Sequence, residues 1–130
     1  MQLLQAWLSL IKRCEMEEFI GIHIHINKKI ASNSVIKSIF WGIEEEGIPY
    51  KTYEIEEGNS DSLGYEASKI SKLGVGIGVD DNYITLYYEK LNLGEALFKY
   101  KTLSKENILR SLGTNAARLI KGEPFTIPKD

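Results

Sequence analysis

Three consecutive glutamates, Glu44, Glu45 and Glu46, close the stretch SIFWGIEEE, and a tryptophan, Trp41, precedes them by about one helical turn. Gly47 and Pro49 follow at once, which marks the glutamates as the last turn of a helix. That end of a helix carries partial negative charge, so each carboxylate there costs roughly 0.3–1 kcal/mol where a lysine would gain as much. On a helical wheel Val35, Ile36, Ile39, Phe40 and Ile43 share one face. Trp41 and Glu45 fall together on the opposite side, with Ser34, Lys37 and Ser38. Tryptophan on a polar helix side is a favoured anchor at protein interfaces. The pattern therefore points to a contact face from which Glu45 reaches something positive. A solvated helix end with one stray aromatic is the plain alternative.

The other chemistry-bearing residues are weaker signals. His23 and His25 alternate in FIGIHIHI and point the same way from a strand. Two imidazoles at that spacing suit a metal, but a catalytic zinc needs at least a third protein ligand and the chain has 2 histidines. Packing or an interface is the default reading. Gly74, Gly76 and Gly78 in GVGIGVDD suggest a nucleotide loop only superficially. A phosphate loop places its glycines between a strand and a helix N-terminus, whereas these alternate within a strand that leads into another strand. They read as a bare sheet face that a helix or partner backbone can approach closely. There is no GxxxxGK[ST] segment, so nucleotide hydrolysis by this chain alone is not expected. No Ser–His–Asp arrangement stands out, and nothing singles out an acid/base pair of carboxylates.

The elements that position these residues follow from hydrophobic periodicity. Residues 19–26 alternate strictly and form a first strand. Ser32, Asn33 and Ser34 offer N-caps for a helix to about Glu46. Residues 50–56 read as a second strand, 57–62 as a loop, and 63–73 as a helix. Residues 75–80 and 83–89 are two further strands joined by a tight Asp-Asp-Asn turn, too short for anything but an antiparallel pair. Residues 97–102 form a fifth, short strand, and Ser104 caps a last helix to about Lys121. Ile108, Leu109, Leu112, Ala116, Leu119 and Ile120 give that helix one apolar stripe, interrupted at Gly113, where a kink is expected. PFTIPKD is a tail. The order β-α-β-α-β-β-β-α, with right-handed crossovers, predicts an α/β three-layer sandwich on a mixed five-stranded sheet with strand four antiparallel.

The chain has 130 residues with 43% hydrophobic and 26% charged residues, enough for one domain with a single core. A net charge of −2 and no basic face argue against a nucleic-acid backbone binder. The lone Cys14 cannot form an internal disulfide, excludes a Cys-based zinc cluster and suits a reducing compartment. Residues 1–15 form a separate extension, with residues 16–130 as the domain. Leu3, Leu4, Trp7, Leu8 and Ile11 follow a helical period there. The stretch is too short to span a bilayer and lacks the leading basic region of a signal peptide. Two readings stand. It is an amphipathic helix that docks on the domain or a partner, or Met16 is the natural start.

Two segments carry a family resemblance: GIEEEGIPY and, near the C-terminus, LGTNAARLIKGEPF. With the GVGIGVD strand and the Leu97–Phe98 pair between them, they resemble the small subunit of diol and glycerol dehydratase-reactivating factors over about residues 17–126. Residues 1–15 lie outside the resemblance, which favours Met16 as the start. The resemblance implies an anticodon-binding-domain-like fold with strand four antiparallel. It implies a non-catalytic, chaperone-like subunit that binds no cofactor alone and pairs with a large ATPase subunit. That complex takes damaged cobalamin out of inactivated adenosylcobalamin-dependent dehydratase. The small subunit resembles the enzyme's medium subunit and replaces it against the dehydratase large subunit. The middle glutamate of the run, here Glu45, is implied to help the large subunit hold a divalent metal, most plausibly Mg²⁺, near its nucleotide. Trp41, Glu44 and Glu46 then flank the contact, and Asn115 and Arg118 of the second motif help seat the chain. A cytoplasmic location is implied, with a bacterial microcompartment as a candidate residence; no membrane or nucleic-acid partner is expected. Two alternatives remain: the cobalamin-holding medium subunit of the dehydratase, for which the chain is short, and an anticodon-binding-like nucleic-acid module.

Overall fold

The computed structural model describes residues 2–30 and 34–128. Helix α1 spans Gln2–Glu18, strand β1 Ile22–Asn27, helix α2 Lys37–Glu45 and strand β2 Tyr50–Ile55. Helix α3 (Ser60–Ile70), strands β3 (Val75–Val79), β4 (Tyr83–Tyr88) and β5 (Phe98–Lys101), and helix α4 (Glu106–Lys121) complete the chain. The sheet order is β2-β1-β3-β4-β5. β1 pairs parallel with both β2 and β3, while β4 runs antiparallel to β3 and to β5. This is the mixed five-stranded sheet the sequence predicts, with the fourth strand reversed.

The alternation of residues along each strand decides which layer covers which face. Ile22, Ile24 and Ile26 of β1 and Val75, Ile77 and Val79 of β3 are buried in one core with Ile39 and Ile43 of α2 and Leu109, Leu112 and Ala116 of α4. The opposite face is the bare one. A Cβ on Gly76 would stand 2.3 Å from the Ser68 amide nitrogen, and one on Gly78 would stand 2.1 Å from the Ser60 carbonyl oxygen. Gly76 and Gly78 thus let α3 lie directly on the sheet, whereas Gly74, expected on the same face, sits at φ +74 just before β3 and faces Glu89. His23 and His25 are buried on this face, where the His23 ring stacks on Tyr53 at 5.4 Å. Among the described residues, no group of three or more His, Cys, Asp or Glu side chains is placed to hold a metal ion.

Several element boundaries differ from expectation, each for a local reason. The candidate caps Ser32 and Asn33 lie outside the described residues; Ser34 opens a 3₁₀ turn to Ile36, and the α-helix begins only at Lys37. α3 begins at Ser60 instead of residue 63, because Asn59 and Ser62 form a capping box across its first turn. The expected cap Ser104 makes no cap; Lys105 holds that position on α4, without a side-chain hydrogen bond. Gly113 serves close approach: α4 is a single helix, and a Cβ there would lie 2.1 Å from the Ile39 carbonyl oxygen. α1 is helical, and its Met16 is buried while Leu4, Trp7, Leu8 and Ile11 stay exposed. No helix of the described residues is long and apolar enough to cross a membrane.

Candidate partner interface

The crossing of α2 over α4 positions the glutamate run. Two glycines make it close. Gly113 of α4 meets the backbone of Ile39, and a Cβ on Gly42 of α2 would stand 2.1 Å from the Arg110 carbonyl oxygen. With backbone against backbone, the last turn of α2 hangs over a row of basic side chains on α4. Gly47, at φ +74, then ends the helix, and its N–H donates to the Glu44 carbonyl.

Each glutamate finds a different partner within the chain. The Tyr50 hydroxyl donates to Glu44 Oε1 at 2.6 Å. Burial, with the Glu44 carboxylate adding to it, pushes the Tyr50 hydroxyl up to about 12, so it stays a donor at neutral pH. Glu45 forms an ion pair with the Arg110 guanidinium, with both side chains about half exposed. Glu46 accepts from Arg118 Nε at 2.5 Å and from Lys121 Nζ at 3.3 Å. The Arg118 hydrogen bond, more than any other influence, holds the Glu46 carboxyl below its ordinary range. The counter-charges that offset the helix-end penalty are therefore present in cis, on α4. A wheel of α2 alone points to a partner for these counter-charges; α4 supplies them within the chain.

Trp41 is 44% exposed and borders a shallow open depression with Glu44, Glu45 and Arg110. A second depression beside it is lined by Ser34, Lys37, Trp41, Ser104, Glu106 and Leu109 among others. Ser34 and Lys37 are exposed as the wheel expects, but Ser38 is buried. α4 covers that part of the polar side. Trp41 and Glu45 thus do share an outward surface, and the residue the wheel missed there is Arg110. The sequence shows the basic residues but not the helix crossing that brings Arg110 to Glu45. Arg110, Arg118 and Lys121 recur at helical spacing along α4 and form a basic stripe complementary to the acidic run.

Asn115 and Arg118 occupy different settings. Asn115 has 0% exposure. Its Nδ2 donates to the Thr126 carbonyl at 2.8 Å, and its Oδ1 accepts from the Thr126 N–H at 2.7 Å and its hydroxyl at 3.2 Å. Arg118 is partly exposed and joins Glu46 to the Pro124 carbonyl, which accepts from Nη1 at 3.2 Å. Together they clasp the C-terminal tail against α4. Phe125 of that tail meets Phe98 edge-on at 5.4 Å between ring centroids. Gly122, at φ +71, turns the chain out of α4 toward the clasp.

The chain matches the protein family described as dehydratase medium subunit over residues 21–126. It is 35% identical over 89 residues to the diol dehydratase-reactivating factor small subunit of Klebsiella michiganensis, covering 68% of this chain and 71% of that one. It is 31% identical over 108 residues to the probable glycerol dehydratase-reactivating factor small subunit of Citrobacter freundii, covering 82% of this chain and 92% of that one. Its fold matches a chain in a structure of diol dehydratase-reactivating factor complexed with ADP and Mg²⁺. The TM-score there is 0.79 at 30% identity, over 85% of this chain and 100% of that chain. α1 precedes the segment that the family shares.

Proposed function

Since the chain belongs to the dehydratase medium-subunit family, we propose that it works as the small subunit of a diol or glycerol dehydratase-reactivating factor, alongside a large ATPase subunit. The match over the whole of a chain in the structure of such a factor, and 85% of this one, carries this reading. The subunit is non-catalytic, and ATP hydrolysis belongs to the large partner. Its work is subunit exchange. A chain of a family named for the dehydratase's medium subunit has the shape to take that subunit's place against the enzyme's large subunit. The exchange opens the inactivated enzyme and lets damaged cobalamin leave. The chain works in the cytoplasm, and residence in a bacterial microcompartment is part of the same reading.

The Trp41–Glu45 surface is the proposed contact with the large ATPase subunit. Trp41 supplies an exposed apolar anchor, and Glu45 a half-exposed carboxylate beside it. A single oxygen donor suits Mg²⁺, which keeps several waters and takes one or two protein carboxylates beside nucleotide phosphates. The other ligands then come from the partner and its nucleotide. Glu44 and Glu46 hold the end of α2 in shape through Tyr50 and through Arg118 and Lys121. Asn115 and Arg118 contribute through the tail they clasp, because Asn115 has no exposed surface of its own to offer.

The test is association with the purified large subunit, followed by calorimetry in ADP and Mg²⁺. The expected result is a defined complex that weakens for Trp41→Ala and for Glu45→Gln. Loss of about 1 kcal/mol or more at Trp41 is the mark of an interface anchor. No complex, or a complex indifferent to both variants, would remove this face from the interface.

A further inference from the structure

All three carboxylates at the end of α2 are engaged within the chain, but not equally. Glu46 is held by two cations, and its side chain is only 15% exposed. Glu44 is held by a neutral hydroxyl that stays protonated. Glu45 alone of the three is met by a single cation with both partners about half in solvent. An exposed ion pair of this kind has little net stability, because water and salt screen it. It is therefore easily exchanged, whereas the Glu46 cluster is not.

We propose that Arg110 is a built-in counter-ion for Glu45, which shields the carboxylate from cations in the free chain and gives it up when a partner docks. The inference rests on the reading that Glu45 turns toward a cation at the subunit contact. Three features support it. Arg110 and Glu45 border the same open depression as Trp41, so an incoming surface that covers Trp41 reaches the pair directly. The Gly42 and Gly113 contacts fix the backbones of α2 and α4, so Arg110 stays within reach of Glu45. And the Arg110 guanidinium pairs with Glu45, whereas Arg118 is also tied to the Pro124 carbonyl of the tail. The guanidinium can then swing into solvent or onto an acceptor of the partner at little cost. The device makes the face self-satisfied when alone: a free Glu45 would collect stray divalent cations, and a paired one does not.

Mn²⁺ serves as the probe, read on the ¹⁵N-labelled full chain without any partner. Paramagnetic broadening of the amides of Glu44, Glu45 and Glu46 is followed during a Mn²⁺ titration of the wild type, Arg110→Gln, Arg110→Lys and the double variant Arg110→Gln, Glu45→Gln. Arg110→Gln should reach equal broadening at about two- to fivefold lower Mn²⁺, the range set by losing one exposed ion pair. Arg110→Lys should restore the wild-type response, and the double variant should lose the gain. Broadening near Glu56 and Glu57, remote acidic residues on the β2 side, gives the internal reference and should not move. Unchanged broadening in Arg110→Gln, or the same gain in the double variant, overturns the proposal. Circular dichroism confirms that each variant is folded. If the large subunit binds Glu45→Gln as well as wild type while Arg110→Gln still sharpens the Mn²⁺ response, the contact reading and the release on docking fail, and only the shielding of Glu45 by Arg110 stands.

Discussion

Asn115→Ala tests whether the tail clasp is part of the fold. The amide is fully buried and makes three hydrogen bonds, all to Thr126. The two to the Thr126 backbone contribute about 1 kcal/mol each in net terms. Once the clasp is gone the tail has little to hold it, and the edge contact of Phe125 on Phe98 goes with it, worth about 0.5–1.5 kcal/mol. Alanine returns roughly 0.5 kcal/mol through its better helix propensity. The sum is a destabilisation of about 2–3 kcal/mol. It is capped there because a released tail can satisfy Thr126 with water. For a chain of 130 residues that corresponds to a fall in Tm of roughly 6–12 °C. Urea denaturation gives the stability, and limited trypsin digestion after Lys121 reports the tail directly. A midpoint equal to wild type, with unchanged cleavage at Lys121, would refute the clasp.

Other expectations follow from the same geometry. Gly113→Ala places a Cβ 2.1 Å from the Ile39 carbonyl oxygen. The helices must part, at a cost of about 1–3 kcal/mol that outweighs the roughly 1 kcal/mol of helix propensity gained; a urea midpoint at or above wild type would contradict this. His23 is held below its ordinary value of 6.5 chiefly by burial, with Lys51 acting the same way against the Phe19 carbonyl. Its protonation is thus easier in the unfolded chain. Stability should be full above pH 6.5 and fall as pH drops through the lower folded value. His23→Gln should flatten that slope, and an equal slope in the variant would assign the effect elsewhere. Removing residues 1–15 keeps the buried Met16 and takes away side chains that, where described, are exposed. Stability should therefore change by no more than about 0.5 kcal/mol; a larger fall, or loss of a complex, would show that α1 docks.

The strands and their succession along the chain were legible because buried β-structure writes a period of two into the sequence. Ile22, Ile24 and Ile26, and the valines and isoleucine of β3, needed nothing more. The glycine face was legible too, since its glycines lead into a strand and not into a helix. Helix starts were less so. The Asn-Ser-Asp-Ser stretch reads as a loop until Asn59 is seen capping Ser62, and α2 begins after a 3₁₀ turn that no capping side chain announces. The surface around Glu45 was half legible. The wheel placed Trp41 and Glu45 together. It could not place Arg110, 65 residues away in sequence, because that requires knowing which helix crosses α2. Asn115 misleads for the same reason: a polar residue on a helix looks exposed until the tail that covers it is in view.

The central claim is that this chain completes a reactivating factor. The direct measurement is recovery of activity by an inactivated adenosylcobalamin-dependent diol or glycerol dehydratase, supplied with fresh coenzyme, ATP, Mg²⁺ and the cognate large subunit, with and without this chain. Recovery should depend on the chain and saturate with it, and Glu45→Gln should shift the requirement to higher Mg²⁺ while leaving the chain as stable as wild type. Equal recovery by the large subunit alone, or a Glu45→Gln response that matches wild type at every Mg²⁺ concentration, would contradict the account.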